Sequence, residues 1–198
     1  MTNLRKLHRT TAMILATYIA AHLGNHLLIF LGTDWHLWAM EGLRVIYRNP
    51  VVEPLLLAAF AIQIALGLRL LWQRGWPKRF WPRLQIASGA VLALFLMQHI
   101  GATLATRMSY AEIDTNVFWA AAVVDRAPFV WYFAPYYTLG VAALFAHLAV
   151  VLHRYPAQRK WAVPVLVLGF ATGAAIVAAL MSVTLPPAYD AYLTDFWF

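Results

Sequence analysis

The chain has 198 residues, 63% of them hydrophobic and only 12% charged, with a mean hydropathy of +0.65; a water-soluble domain does not show this balance. Its formal charge of +7 does not mark a nucleic-acid-binding protein, because the Lys and Arg residues lie between apolar segments and form no continuous patch or binding motif. Cysteine is absent, which excludes disulfides, thiolate metal sites, iron–sulfur ligation and covalently attached haem within this chain.

The first apolar segment, 11–31, follows Arg5, Lys6 and Arg9 as a signal peptide would. It runs on for roughly 20 residues, carries His22, Asn25 and His26 and shows no small-residue cleavage site, so it predicts a retained helix. Four further segments, 54–72, 84–106, 133–152 and 162–183, are each long enough to cross about 30 Å of hydrocarbon at about 1.5 Å per residue. None alternates as a membrane barrel strand would. Pro54, Pro135 and Pro164 fall in or near the first turns of segments two, four and five, where a missing N–H is tolerated, and are read as helix starts rather than kinks. The stretches 33–52 and 107–132 are long enough to hold short helices of their own. The fold class expected is all-α: one integral membrane domain spanning 1–198 and built on a five-helix bundle.

Charge orients that bundle. Arg5, Lys6 and Arg9, then Arg69, Arg74, Lys78, Arg79 and Arg83, then Arg154, Arg159 and Lys160 place 11 basic residues on one side, against Arg44, Arg48, Arg107 and Arg126 on the other. The positive-inside rule then puts the N-terminus and the 73–83 and 154–161 loops in the cytoplasm and the C-terminus outside, as in a bacterial-type inner membrane. The eight acids (Asp34, Glu41, Glu53, Glu112, Asp114, Asp125, Asp190, Asp195) all fall on the outer side. Trp35, Trp38, Trp72, Trp76, Trp81, Trp131 and Trp161 cluster near segment ends, where indole rings anchor at the headgroup level.

Ionisable residues within spans are costly and mark function, so His22, His26, His99 and His147 stand out. His8, His36 and His153 lie at or beyond the boundaries and read as solvated or interfacial. His22 is 13 residues from Arg9 and His99 is 16 from Arg83, about 20 and 24 Å along a helix. Segments one and three run in the same direction, so two imidazoles at nearly one depth could face each other as the axial ligands of a haem iron. His26, one turn from His22, matches the depth equally well, and spacing leaves the choice open. A His-x-x-x-His pair could instead take a divalent metal, but the ligand set would be short. Ala20, Ala21, Gly24, Gly101 and Ala102 leave room for a macrocycle, and equally for close helix packing. Arg107, about 12 Å beyond His99, is placed to meet a haem propionate or to act as a boundary charge. In the cytoplasmic half, Gln63 and His147 share a depth, and Gln63 reads first as an interhelical hydrogen-bonding residue.

With these residues in place, the chain resembles the single-chain, five-helix cytochrome b membrane anchor of succinate dehydrogenase and fumarate reductase, respiratory complex II. The resemblance covers nearly the whole length and rests on Leu7-His8-Arg9, His22-Leu23, Gln98-His99 and Phe145-Ala146-His147. It implies a haem b held by His22 and His99, a subunit that seats flavoprotein and iron–sulfur partners on its cytoplasmic face, and electron exchange with membrane quinone. The family's second haem takes ligands from helices two and four. His147 matches one of them, but the other position holds Gln63, and helix two contains no histidine. The expectation is therefore one haem, with the second site altered or empty and a quinone possible near Gln63 and His147. Two other functions compete: the cytochrome b of a hydrogenase or another membrane redox complex, and a haem-free structural or assembly subunit. Retinal photoreception is disfavoured because Lys6, Lys78 and Lys160 all lie outside the spans, and a secondary transporter because no inverted repeat is evident.

Overall fold

A computed structural model describes residues 2–73 and 75–195. Arg74 and the side chain of Asp195, both used in the charge argument, lie outside the described residues. Among the described residues eight α-helices follow one another: α1 (Thr2–Leu27), α2 (Thr33–Tyr47), α3 (Val52–Trp72), α4 (Phe80–Ser109), α5 (Val117–Asp125), α6 (Phe129–Arg154), α7 (Ala162–Met181) and α8 (Pro187–Asp195). No strand occurs among the described residues. Helices α1, α3, α4, α6 and α7 are long and apolar enough to cross a membrane, which makes this a multi-pass, all-helical membrane protein.

The five spans match the expected segments, but four of them begin earlier than hydropathy alone suggests, while α7 begins at Ala162 as expected and ends at Met181. Apolar composition marks only the part of a helix in hydrocarbon, whereas the backbone keeps its hydrogen bonds into the polar ends. Thus α1 starts at Thr2 rather than at 11, α4 runs from Phe80 to Ser109, and α6 begins at Phe129. The last shift corrects the reading of Pro135, which lies inside α6 instead of near its start. Its missing N–H therefore falls in the helix interior. Pro54 and Pro164 remain in the first turns of α3 and α7.

The two stretches at 33–52 and 107–132 contain α2 and α5, as their lengths suggested. A 3-10 turn at Leu28–Leu31 closes α1, and Gly32, with φ of 122°, swings the chain into α2. That backbone conformation is open to glycine and strained for other residues. Asn116 caps α5, its side chain accepting from the N–H groups of Phe118 (2.9 Å) and Trp119 (3.4 Å).

The spans run alternately up and down, with α1 against α3, α3 against α4, α4 against α6 and α6 against α7. Their outer faces expose Leu55, Ile62, Leu94, Leu139, Leu148, Val163, Val167 and Phe170, as helices solvated by lipid do. The main apolar core lies at the end opposite the N-terminus, where α5 packs on α7 through Val117, Ala121, Val124, Ile176 and Leu180. The same end carries Arg44, Arg48, Arg107 and Arg126 with the acids, and most basic residues sit at the N-terminal end.

Helices α6 and α7 approach closely because glycines line the contact. A Cβ on Gly173 would sit 2.7 Å from the backbone oxygen of Thr138, and one on Gly169 would meet the Phe145 side chain. Close backbone approach through small residues is the usual means of helix association in lipid. The Gly173→Ala variant is expected to lose about 1–3 kcal/mol of stability through this overlap, seen as a lowered unfolding temperature in detergent. An unchanged temperature would show that the helices separate without strain.

Candidate functional site: a histidine cluster between α1 and α4

His22 and His26, four residues apart on α1, project from roughly one face of the helix. Across from them stands His99 of α4, its ring centre 5.9 Å from that of His22. Each of these two imidazoles is backed by an aromatic ring one turn earlier on its own helix: Tyr18 stacks on His22 at 5.7 Å and Phe95 on His99 at 5.2 Å, both with planes 12° apart. Tyr18 is in turn wedged edge-on between Tyr47 and Phe60. Gly140 on α6 provides the room for Phe95, since a Cβ there would overlap that ring. The Tyr136 hydroxyl donates to the Phe95 carbonyl at 3.1 Å. These contacts fix the ring orientations of a pair that has no polar support of its own.

His26 lies edge-on to His22, with ring centres 4.7 Å apart, and meets His36 of α2 at 5.5 Å. Of the two α1 histidines, His22 therefore makes the ring contact with His99. His36 corrects the sequence reading, because it is only 2% exposed instead of interfacial. Its Nδ1 lies 2.8 Å from the Asn25 carbonyl, and since a carbonyl only accepts, Nδ1 carries the proton. Nε2 is then free to accept from the Asn25 side-chain amide at 3.4 Å. Burial holds the His36 imidazole below the usual histidine range. The signal for this position was present in the sequence: His36, Met40 and Arg44 recur at four-residue intervals and form the buried face of α2.

The hydrogen-bonding pattern divides the histidines into two kinds. His36 is bonded to Asn25, and His147 Nδ1 lies 3.1 Å from the Ser88 hydroxyl. That hydroxyl donates to the Gln85 carbonyl at 3.3 Å, leaving its oxygen to accept from His147 and the His147 Nε2 lone pair unspent. The ring nitrogens of His22, His26 and His99, by contrast, have no hydrogen-bond partner among the described residues, and His26 Nδ1 is fully enclosed. A Cβ on Gly24 or Gly101 would meet nothing within 4 Å.

About two helical turns from the N-terminal end lies a second polar level. Gln63 of α3 accepts from the Thr11 hydroxyl of α1 and its amide nitrogen lies 3.4 Å from His8 Nε2. Gln63 thus joins α1 to α3, as the interhelical reading proposed. His8 is part of this level rather than solvated, so that expectation is corrected too. Gly67 and Gly89 lie against the edges of His8 and His147, at 3.4 and 3.6 Å from the position of a Cβ. The third boundary histidine, His153, stacks on Trp81 at 4.1 Å. Arg107 forms a two-pronged ion pair with Glu53 of α3, so it ties α4 to α3.

A polar clamp holds α2 over the cluster. Arg44, 8% exposed, makes two parallel hydrogen bonds to Asp114, 2.8 and 2.9 Å long, and one to Glu41 at 2.7 Å. Its partner Asp114 lies 70 residues away, a separation that no local pattern reveals. The Tyr189 hydroxyl adds a bond to the Asp114 carbonyl.

Two imidazole nitrogens each about 2 Å from a shared metal ion would put their ring centres up to roughly 6 Å apart, so the 5.9 Å between His22 and His99 would allow the two to hold a haem iron. Among the described residues no group of three or more His, Asp or Glu converges as a metal site. No family model, no curated protein and no solved structure matches the chain.

Two outcomes follow from this geometry. Asp114→Asn leaves the buried Arg44 guanidinium without its counter-charge and is expected to cost about 1–3 kcal/mol, measured as lowered thermal stability. Because the folded state favours neutral His36, this residue's contribution is complete above a pH of about 6.5, the ordinary histidine value, and declines as the pH falls below it. The loss of unfolding temperature between pH 7.5 and 5.5 should accordingly be smaller in His36→Gln than in the unmodified chain.

Proposed function

We propose that the chain is a b-type cytochrome, the membrane-anchor subunit of a complex II-like quinone oxidoreductase, holding one haem between His22 of α1 and His99 of α4. The observation that carries this reading is the unbonded state of those two imidazoles at a ring separation of 5.9 Å. A structural subunit would use buried histidines to hydrogen-bond between elements, as His36 of α2 and His147 of α6 do. His22 and His99 instead direct their rings at each other and leave their nitrogens for a ligand. Haem b, when bound there, supplies reversible one-electron chemistry.

The residues of the chain supply the rest. Tyr18 and Phe95 hold the two imidazole planes, and Gly24 and Gly101 leave space beside them. Arg107 is available to a propionate only in exchange for its bond to Glu53. The positive-inside rule orients the bundle with its N-terminus and the 73–83 and 154–161 loops in the cytoplasm, where those basic loops offer a docking face for flavoprotein and iron–sulfur subunits. Electrons from that face would pass the level of Gln63 and His147, about 10–15 Å short of the haem. A single haem makes that level the place for any second carrier.

Pyridine-haemochrome analysis of the purified chain tests the proposal and should give one haem b per polypeptide. His22→Ala and His99→Ala are each expected to abolish low-spin haem, while His26→Ala retains it. Haem absent from the unmodified chain, or a spectrum indifferent to both ligand substitutions, would leave the scaffold reading in its place.

A further inference from the structure

In the half of the bundle nearer the N-terminal end, α6 is flanked by α4 on one side and α7 on the other. Ala142, Ala143 and Ala146 of α6 form the floor of a groove of about 580 Å³, with Val91 of α4 and Val167 and Phe170 of α7 on its walls. All three helices are membrane-spanning, so the groove opens on hydrocarbon. Ser88 is the one polar side chain among the described lining residues. Its hydroxyl is already spent on the Gln85 carbonyl and His147. The groove therefore offers an occupant no hydrogen bond and fits a hydrocarbon chain.

Its length narrows the choice further. The lining runs from Leu139 to Ala146 on α6 and from Leu84 to Val91 on α4, about 10 Å along each helix. A spanning helix from another subunit would need a seam of about 30 Å. Methylenes laid in the groove meet side chains on three sides, where a lipid on a convex helix face meets them on one, and each further contact adds dispersion attraction.

The second observation is the charge at the mouth of the groove. Arg83 precedes Leu84 in the first turn of α4, Arg154 ends α6, and Lys160 lies in the short turn that leads into α7. Arg154 donates to Gln85 Oε1, which ties it one turn from Ser88. All eight acids fall in the segments of the opposite end, and the ion pairs among the described residues belong to Arg44, Arg48, Arg107 and Arg126 there. The cations at the mouth thus have no carboxylate partner among the described residues. Trp161, with the Lys160 ammonium 5.6 Å from its ring, and Trp81, stacked on His153, mark the same place as the headgroup level. A phosphate there would meet Arg as a hydrogen-bonding fork and Lys as a point charge, the arrangement by which basic pockets between spans take anionic lipid heads.

We infer that the α4–α6–α7 groove binds one anionic phospholipid, an acyl chain lying on the alanine floor and the phosphate held by Arg154 and Lys160. The site stands whether or not the chain carries haem. Native mass spectrometry of the purified full chain, incubated in detergent with equal amounts of dioleoyl phosphatidylglycerol and dioleoyl phosphatidylcholine, tests it. One phosphatidylglycerol per chain is expected to stay bound, preferred about tenfold over phosphatidylcholine. Arg154→Gln combined with Lys160→Gln should bring that preference to about twofold or less. Ala142→Leu fills the floor, keeps every charge and should lose both lipids. The double charge variant changes only exposed side chains, so it decides the matter even where Ala142→Leu fails to fold. Equal retention of the two lipids by the unmodified chain, a preference that survives the double substitution, undiminished retention by a folded Ala142→Leu chain, or a dimer of the chain in place of the lipid adduct overturns the site.

Discussion

An imidazole within a hydrocarbon bundle carries an N–H and a lone pair that lipid cannot satisfy. The organisation of the α1–α4 region follows from how that demand is met at each histidine. His36 meets it with the Asn25 backbone and amide, and His147 with Ser88. His22 and His99 are furnished with stacking rings and with each other, and with no polar partner. Stacking fixes a ring plane without consuming its nitrogens, and this is the support a ligating histidine requires when no carboxylate or carbonyl orients it.

The surrounding structure serves that pair at some distance. Gly140 admits Phe95, and Phe95 sets the plane of His99. Gly32 turns the chain so that α2 returns over the end of α1, and the Arg44–Asp114 clamp holds it there. With α2 in place, Tyr47 closes on Tyr18 and His36 on His26. Four helices are thus coupled to two imidazoles through contacts that are individually weak, and the couplings run from backbone geometry to ring orientation to the chemistry of the site.

Much of this was legible in the sequence. Hydropathy located five spans because lipid-facing helices need apolar side chains around their whole circumference, and small residues beside His22 and His99 marked open space. The depth estimate for those two residues worked because both are counted from the same end along helices of one pitch. What escaped was non-local. His8 and His36 lie near span boundaries, and a one-dimensional depth scale could not show that α3 covers the first and α1 the second. Pro135 was misplaced for a related reason: α6 starts before its apolar stretch does, at Phe129. The Arg44–Asp114 clamp joins two outer segments whose charges, read one by one, bear only on orientation.

The central claim is that one iron is held by the His22 and His99 imidazoles. Electron–nuclear double resonance on the oxidised chain, with histidine labelled by nitrogen-15, tests it most directly. The account predicts one low-spin ferric haem coupled to two imidazole nitrogens, with that signal lost on substituting either residue. A five-coordinate high-spin iron, or a coupling that survives in His99→Ala, would contradict it.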